Sequence, residues 1–149
     1  MILSLEEALV RTNKPFDLRY VLFFGSIDTQ INSRIAYEMY GKGLSTARMS
    51  LNAMKTSSLS RFIIKLEKED DSSYITGLFR IFQSFYDGWT TKDCKYVASF
   101  LDNTDYKKVA VKMKRDPSAM WRRKRSLKIE EYAIIKSIIF QSLKYLSNV

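Results

Sequence analysis

The chain has 149 residues, of which 46% are hydrophobic and 13% aromatic, so it can bury a core in one domain or in two small ones. Histidine is absent and Cys94 is the single cysteine, which excludes histidine-dependent catalysis, a disulfide framework and a CxxC zinc site. The formal net charge is +9, and the position of that charge along the chain is more informative than its size.

Membrane insertion and export are also disfavoured. No apolar run approaches the roughly 20 residues that a transmembrane helix needs. The first residues, MILSLEEAL, lack the basic segment of a secretory signal. Together with the single cysteine, this indicates a soluble cytoplasmic protein without a membrane partner.

Residues 1–71 alternate between helical and strand patterns. They predict a short helix at 3–10 capped by Ser4, a buried strand at 18–25, a loop at 26–34, and a second strand or bridging segment at 35–40. A helix at 44–55, with Leu44, Ala47, Leu51 and Met54 on one face, a strand at 59–66 and an acidic loop at 67–71 complete a small α/β domain.

From residue 72 onward the patterns are helical. A long helix is expected to end at Asp87-Gly88, and Thr90 with Asp93 resembles a capping box for the next helix. Two short helices follow, at 107–113 and from Asp116 to about residue 127, since an acidic cap followed by proline is typical of a helix start. The last helix, at 129–146, carries so broad an apolar face that burial on both sides or a second subunit would explain it.

The positive charge is concentrated in residues 106–128. This segment holds ten of the 25 Lys and Arg residues against one acid, Asp116, whereas the rest of the chain has 15 basic and 15 acidic residues. A charge so concentrated produces a local positive potential that suits a polyanion. Nucleic acid is therefore the expected partner.

A helix-turn-helix pattern fits the same segment, residues 106–127. With its first position on Tyr106, the pattern places Ala110 at the crowded site between the two helices and three apolar residues at core sites: Val109, Met113 and Met120. Two residues depart from it. Lys114 occupies the turn position that favours glycine, and Arg123 occupies a site that is usually apolar.

The pattern also assigns side chains to DNA contacts. It places four residues on the outward face of the second helix, where base edges are read in the major groove: Ser118, Trp121, Arg122 and Arg125. Basic residues around that face are expected to contact phosphates: Lys107, Lys108, Lys112, Arg115, Lys124 and Lys128. For Trp121, a role as a core anchor is equally consistent with the sequence.

Three segments, in this order, resemble the SatD family of bacterial and phage proteins: LRYVLFFGSIDTQIN, MYGKGLSTARMSLNAMK and DGWTTKDCKYVASFLDNTDYKKVAVKMKRDPSAMWRRKRSLKIEEY. The resemblance extends over about residues 18–142, and its most specific parts are residues 40–48 and the pair Trp89-Thr90. It implies a small α/β domain, a helix that ends in that pair, and a C-terminal helix-turn-helix used for DNA binding and regulation.

The α/β half of the family also looks distantly like half of a nucleotide-cyclase-type domain. Longer relatives carry a strand and an acidic segment ahead of the strand at 18–25, and this sequence does not match those parts. The resemblance therefore implies a truncated, structural or dimerising domain here, and it leaves nucleotide binding by this half as an open alternative.

Other chemistry has weaker support in the sequence. Gly41 and Gly43 before a helix could cradle a phosphate, although a tight turn explains them more simply. Asp28 and the acidic residues at 67–71 lack the spacing of a cation site. We therefore expect no catalytic residue, no cofactor and no metal.

The sequence thus predicts an α+β fold, with a small α/β domain at 1–71 and an all-helical domain containing the helix-turn-helix at 72–149. The expected function is binding of double-stranded DNA in transcriptional regulation, with a homodimer on two half-sites as one arrangement. The alternatives are RNA binding, a protein-interaction module for an acidic partner, and a vestigial nucleotide-binding enzyme.

Overall fold

A computed structural model describes residues 1–14, 16–32, 34–35, 39–56 and 60–147 of the chain. Its elements, in chain order, are α1 (Ile2–Arg11), β1 (Tyr20–Phe23), α2 (Lys42–Ala53), β2 (Phe62–Lys65), α3 (Glu69–Asp87), α4 (Thr91–Asp102), α5 (Tyr106–Met113), α6 (Pro117–Ser126) and α7 (Ile129–Ser147). The described residues are therefore mostly helical with a small sheet, which confirms the predicted α+β class in its broad sense.

Contacts group the chain into two compact units. One is Leu18–Arg80, and the other combines Met1–Asp17 with Ile81–Val149, so α3 contributes residues to both. The predicted domain division at residue 71 stays a prediction. None of the helices in the described part of the chain combines the length and the apolar character that crossing a bilayer requires.

The unit Leu18–Arg80 contains a sheet of two parallel strands. Tyr20 of β1 is in register with Phe62 of β2, and Phe23 is in register with Lys65. The rings of Tyr20 and Phe62 stack with their centroids 5.2 Å apart, and Phe79 of α3 packs against Phe62 at 5.0 Å. Both strands are where the β-branched and aromatic runs predict them, but each is shorter than predicted.

The start of α2 lies against the loop that follows β1. A Cβ atom added to Gly41 would lie 2.6 Å from the carbonyl oxygen of Ser26, and one added to Gly43 would lie 2.9 Å from the same atom. The N–H of Gly43 donates to that oxygen over 3.2 Å. Close approach of two backbones therefore explains both glycines, and the Gly43 N–H is already bonded within the chain.

Hydroxyl groups line the outer edge of β2. The carbonyls of Arg61 and Lys65 accept from the N–H groups of Tyr20 and Phe24, so the alternation of the strand points the backbone groups of Phe62 and Ile64 away from β1. Three of these four groups bond to side chains instead: the N–H and carbonyl of Phe62 exchange hydrogen bonds with Ser60 Oγ (3.2 and 2.9 Å), and Thr76 Oγ1 donates to the Ile64 carbonyl (3.4 Å).

Two local predictions in the first 71 residues are wrong. Glu69, Asp70 and Asp71 form the first turn of α3 rather than a loop, because carboxylates stabilise the positive end of the helix dipole. Ser4 lies inside α1, which begins one turn earlier, where the Leu5 N–H donates to the Met1 carbonyl over 3.0 Å. Half of the segment predicted as a second strand or bridging segment, residues 36–38, lies outside the described residues.

The second unit is helical. α1 packs against α4, and Arg11 forms an ion pair with Asp102 over 2.9 Å. Glu7 of α1 accepts hydrogen bonds from Tyr132 (3.1 Å) and Lys136 (2.5 Å) of α7. The core of the unit is formed by buried apolar side chains from every helix: Leu9, Val10, Phe82, Tyr86, Trp89, Val97, Phe100, Val109, Ala110, Met120, Tyr132 and Ile139.

The Trp89-Thr90 pair lies between α3 and α4. α3 ends two residues before it, at Asp87, so the expectation that a helix ends in this pair is only approximately met. The buried indole of Trp89 donates to the carbonyl of Leu127 over 3.0 Å, which ties this connection to the end of α6. Thr90 is the N-cap of α4 and forms the predicted capping box with Asp93.

Candidate nucleic-acid interface

α5 and α6 pack against each other and are joined by residues 114–116. Each helix begins at an aspartate whose carboxylate accepts a backbone N–H: Asp105 accepts from Lys107 (2.9 Å) and Asp116 accepts from Ala119 (3.0 Å). Pro117 occupies the first turn of α6, where its missing N–H costs nothing. The predicted pair of short helices and the predicted start of the second are therefore confirmed.

The turn between the two helices is left-handed at Lys114. This residue has φ 51° and ψ 51°, and the N–H of the following Arg115 donates to the Ala110 carbonyl over 3.0 Å. The conformation is the one that the helix-turn-helix pattern requires at this position. The Cβ atom of a residue other than glycine makes this conformation less favourable by about 1 to 2 kcal/mol, which is why the position favours glycine.

The inner faces of the two helices are those that the pattern predicts. Val109, Ala110 and Met120 are buried, and Met113 is half-buried. α4 packs on α5 from one side, and α7 packs on α6. The helix pair is therefore held between two further helices, and its remaining surface faces solvent.

Arg123, the second departure from the pattern, is ion-paired. Its guanidinium bonds to the carboxylate of Asp93 in α4 and lies 5.3 Å from the ring centre of Tyr96. The same carboxylate accepts from the N–H (2.9 Å) and hydroxyl (2.7 Å) of Thr90. A charge at a usually apolar site is thus compensated by a partner in the neighbouring helix, and the pair attaches α6 to α4.

The ionisation of Asp93 reflects this network. Burial raises the pKa of the Asp93 carboxyl, but the hydrogen bonds from Thr90 and the positive charge of Arg123 outweigh it, so the net shift is downward. Asp93 therefore stays ionised at neutral pH and keeps both the cap of α4 and the contact with α6.

All four predicted base-contact residues lie on the solvent-facing side of α6, at the helical spacing of one face: Ser118, Trp121, Arg122 and Arg125. Trp121 is 45% exposed, so it is not a core anchor. The Arg125 guanidinium lies 5.0 Å from the centre of the Trp121 ring, which orders both side chains on this face. The Ser118 hydroxyl donates to Asp116 over 2.5 Å and keeps its lone pairs available as acceptors.

The predicted phosphate contacts fall into two groups. Lys107, Lys108 and Arg115 are exposed and form no ion pair with another described residue, and Lys128 is exposed 6.0 Å from the ring centre of Phe85. Two others are engaged, because Lys112 pairs with Asp102 (3.0 Å) and Lys124 pairs with Glu130 (2.8 Å). The Lys124 side chain is also only 14% exposed, so its ammonium faces Glu130 more than solvent.

Sequence reasoning missed one member of this surface. Lys114 is exposed and adjoins Arg115 in the turn, and it forms no ion pair within the described chain. Its position in the basic segment, residues 106–128, is enough to predict that it belongs to the cationic surface. The acidic partners Asp102 and Glu130 were also missed, and only the three-dimensional packing brings them to Lys112 and Lys124.

The described residues contain no cluster of three or more His, Cys, Asp or Glu side chains that could hold a metal ion. Comparison with known proteins gives no match either: no family model, no curated protein and no solved structure matches the chain.

Proposed function

We propose that this protein binds double-stranded DNA through α5 and α6 and acts as a transcriptional regulator. The observation that carries the proposal is the outward face of α6, where Ser118, Trp121, Arg122 and Arg125 are all exposed beside each other. A helix with this face, preceded by a three-residue turn that is left-handed at Lys114, has the dimensions and the chemistry to enter the major groove.

Each of these side chains has a role in base recognition. Arg122 and Arg125 can each donate two hydrogen bonds to guanine, and the indole of Trp121 can lie against a thymine methyl. Stacking on Trp121 restricts the Arg125 guanidinium before binding, which lowers the entropy lost when it meets a base.

Affinity would come from the phosphates. Lys107 and Lys108 at the start of α5 and Arg115 in the turn are exposed cations beside the reading face, and ordering them on DNA breaks no ion pair among the described residues. Each phosphate that they neutralise releases counterions, so binding should weaken as salt rises.

Among the alternatives, duplex RNA is less suited, because its deep and narrow major groove does not admit a helix. For the vestigial nucleotide-binding enzyme, the Gly43 N–H that could face a phosphate is bonded to the Ser26 carbonyl, so this amide gives the alternative no support. An acidic protein partner would use the same cations but would give no reason for a row of base-reading side chains. A resemblance to the SatD family agrees with DNA binding and is part of the proposal.

The proposal is tested by selecting fragments that the full chain binds from a genomic DNA library and then measuring affinities for the selected site and its single-base variants. Arg122→Ala should reduce discrimination at one base pair by about 1 to 3 kcal/mol, because it removes a bidentate contact. Arg48→Ala is the matched control, since Arg48 is also an exposed arginine on a helix, α2, and it should discriminate as the wild type does.

Two results would count against the proposal. No enrichment of any sequence by the wild type would argue against a regulator, and the same loss of discrimination in Arg48→Ala would argue against α6 as the reading helix. Salt-independent binding would favour the protein-interaction alternative.

A further inference from the structure

A groove of about 640 Å³ lies beside the outer edge of β2, within the unit Leu18–Arg80. β2 contributes Ile63 and Ile64 to its lining. The α3 side is formed by residues that share one face of the helix: Ser73, Thr76, Gly77 and Arg80. Sites for small organic molecules are usually concavities of about 300 to 1,000 Å³, so this groove is large enough for one.

Gly77 leaves the middle of the groove open. A Cβ atom added to Gly77 would meet no atom of the described chain within 4 Å, apart from the adjoining helix backbone. No close packing therefore requires glycine here, and its φ does not lie in the left-handed region that favours glycine. Glycine inside a helix is nevertheless less stable than alanine. A glycine that lowers helix stability and keeps space free is typical of a position where a ligand approaches the backbone.

The groove is lined by two hydrogen-bond donors that have no partner within the described chain. Ile64 is 3% exposed, and its N–H, which points away from β1, makes no hydrogen bond to another described residue. A buried N–H without a partner is rare in proteins, because it lacks the hydrogen bond that water would supply. The second donor is the guanidinium of Arg80, which is exposed and forms no ion pair with another described residue.

These donors indicate the chemistry of the ligand. The acidic residue of the lining, Glu69, is paired with Lys65 over 3.4 Å, so the unpaired charge of the groove is positive and favours a negatively charged ligand. An extended peptide fits less well, because the other outward groups of β2 are already bonded to Ser60 and Thr76 and one N–H cannot form a ladder. A small molecule with one anionic group therefore fits best.

Arg80 can reach an acceptor that is bound to the Ile64 N–H. The Thr76 hydroxyl donates to the Ile64 carbonyl over 3.4 Å, and the Ser72 hydroxyl accepts from the Leu66 N–H over 2.8 Å. α3 thus runs antiparallel to β2, and Arg80 lies one turn, about 6 Å, beyond Thr76. An arginine side chain is long enough to span one turn of a helix. The guanidinium and the N–H can therefore both donate to one carboxylate.

We propose that this groove binds a small organic acid with an apolar body. The carboxylate accepts hydrogen bonds from the Ile64 N–H and from Arg80, and the body lies over Gly77 against the half-buried Ile63. Burial of the apolar body supplies affinity, and the two donors fix the orientation. The proposal does not depend on DNA binding.

Titration of the full chain with sodium octanoate, followed by proton–nitrogen correlation NMR, tests the proposal. At millimolar concentrations octanoate should shift the amide signals of Ile64 and Gly77 and leave those of α6 unchanged. Phenylpropionate distinguishes an aromatic body from an aliphatic one, because the body that fits better gives the lower dissociation constant. Octanamide has the chain of octanoate without its charge and should bind at least about tenfold more weakly.

Two variants separate the charge of the groove from its space. Arg80→Gln should raise the dissociation constant for octanoate by about tenfold or more and leave that for octanamide unchanged. Arg48→Gln is the matched control, since Arg48 is an exposed arginine of α2 outside the groove lining, and it should bind octanoate as the wild type does. Gly77→Leu should abolish binding by filling the groove, while the urea midpoint of unfolding rises, because leucine is the better helix former.

Three results would overturn the proposal. If neither acid shifted the amide signals of Ile64 and Gly77, the groove would not be a site for this class of ligand. Equal dissociation constants for octanoate and octanamide would remove the role of the charge. Octanoate binding that persisted in Gly77→Leu would place the site elsewhere.

Discussion

Two residues that weaken the helix-turn-helix pattern in the sequence are each explained by local chemistry. Lys114 adopts the left-handed conformation of the turn although it is not glycine. Arg123 occupies a usually apolar site because Asp93 is close enough to neutralise it. The left-handed conformation at residue 114 is predictable from the sequence, since the helix-turn-helix pattern fixes the position of the turn. The ion pair was not, because Asp93 lies 30 residues away along the chain.

Replacement of Lys114 by glycine should relieve the backbone strain in the turn between α5 and α6. Lys114→Gly should increase the free energy of unfolding by about 1 kcal/mol, because glycine adopts a positive φ without a Cβ clash. Denaturant unfolding followed by circular dichroism measures the change.

Lys114→Ala is the control for charge, since it removes the ammonium and keeps the strained conformation, and it should give no such gain. Lys108→Gly is the control for backbone entropy: within α5 the same replacement should lower stability by about 1 kcal/mol. Equal stability of the Gly and Ala variants at position 114 would show that the turn is not strained.

At the scale of elements, the sequence predicts most helices because their caps and periodicities are local. The starts of α4 and α6 follow from Thr90 with Asp93 and from Asp116 with Pro117. The acidic start of α3 is wrongly predicted as a loop, since three consecutive acids are also typical of solvated turns. The pairing of Lys112 and Lys124 with acids was not predictable, because it depends on how α4, α5, α6 and α7 pack.

The attachment of α6 to α4 through Asp93 should depend on pH. A carboxyl whose pKa is lower in the folded protein stabilises the fold above its unfolded value of about 4, and this contribution disappears as the pH falls through the folded value. Asp93→Asn should therefore be less stable than the wild type at neutral pH, by about 1 to 3 kcal/mol. The difference between the two proteins should shrink toward about pH 2.

Urea unfolding at a series of pH values checks this expectation. Asp17→Asn serves as the control, because Asp17 is exposed and makes no hydrogen bond to another described residue. A wild type and an Asp93→Asn variant whose stabilities differ by the same amount at every pH would contradict the role assigned to the carboxylate.

At the scale of the whole molecule, the net charge of +9 is located in residues 106–128, but part of it is neutralised internally. Within the described chain, three of the ten basic residues of this segment form ion pairs: Lys112, Arg123 and Lys124. The cations left for a polyanion are therefore fewer than the sequence alone indicates, and they are concentrated on α5, on the turn and on the outward face of α6.

This distribution limits the salt dependence of the proposed DNA binding. Seven basic residues of the segment remain without an ion pair within the described chain, so the slope of log K against log salt should not be steeper than about −6. Asp102→Asn should release Lys112, together with Arg11 of α1, which lies outside the basic segment, and steepen the slope by about 1 through Lys112. Titrations monitored by fluorescence anisotropy at several salt concentrations measure both slopes.

Asp17→Asn again provides the comparison, since it raises the net charge equally without releasing a lysine of the basic segment. If both variants changed the slope equally, the effect would come from overall charge and not from Lys112.

The hydroxyl groups beside β2 determine how far the small sheet can grow. An extended chain that approached this edge would have to displace Ser60 from the N–H and carbonyl of Phe62, and Thr76 from the carbonyl of Ile64, before it could pair with those three groups. Such an exchange replaces existing hydrogen bonds with equivalent ones, so it lowers the free energy little. The β2 edge is therefore a poorer template for pairing with another chain than a bare edge strand, which is often where aggregation starts.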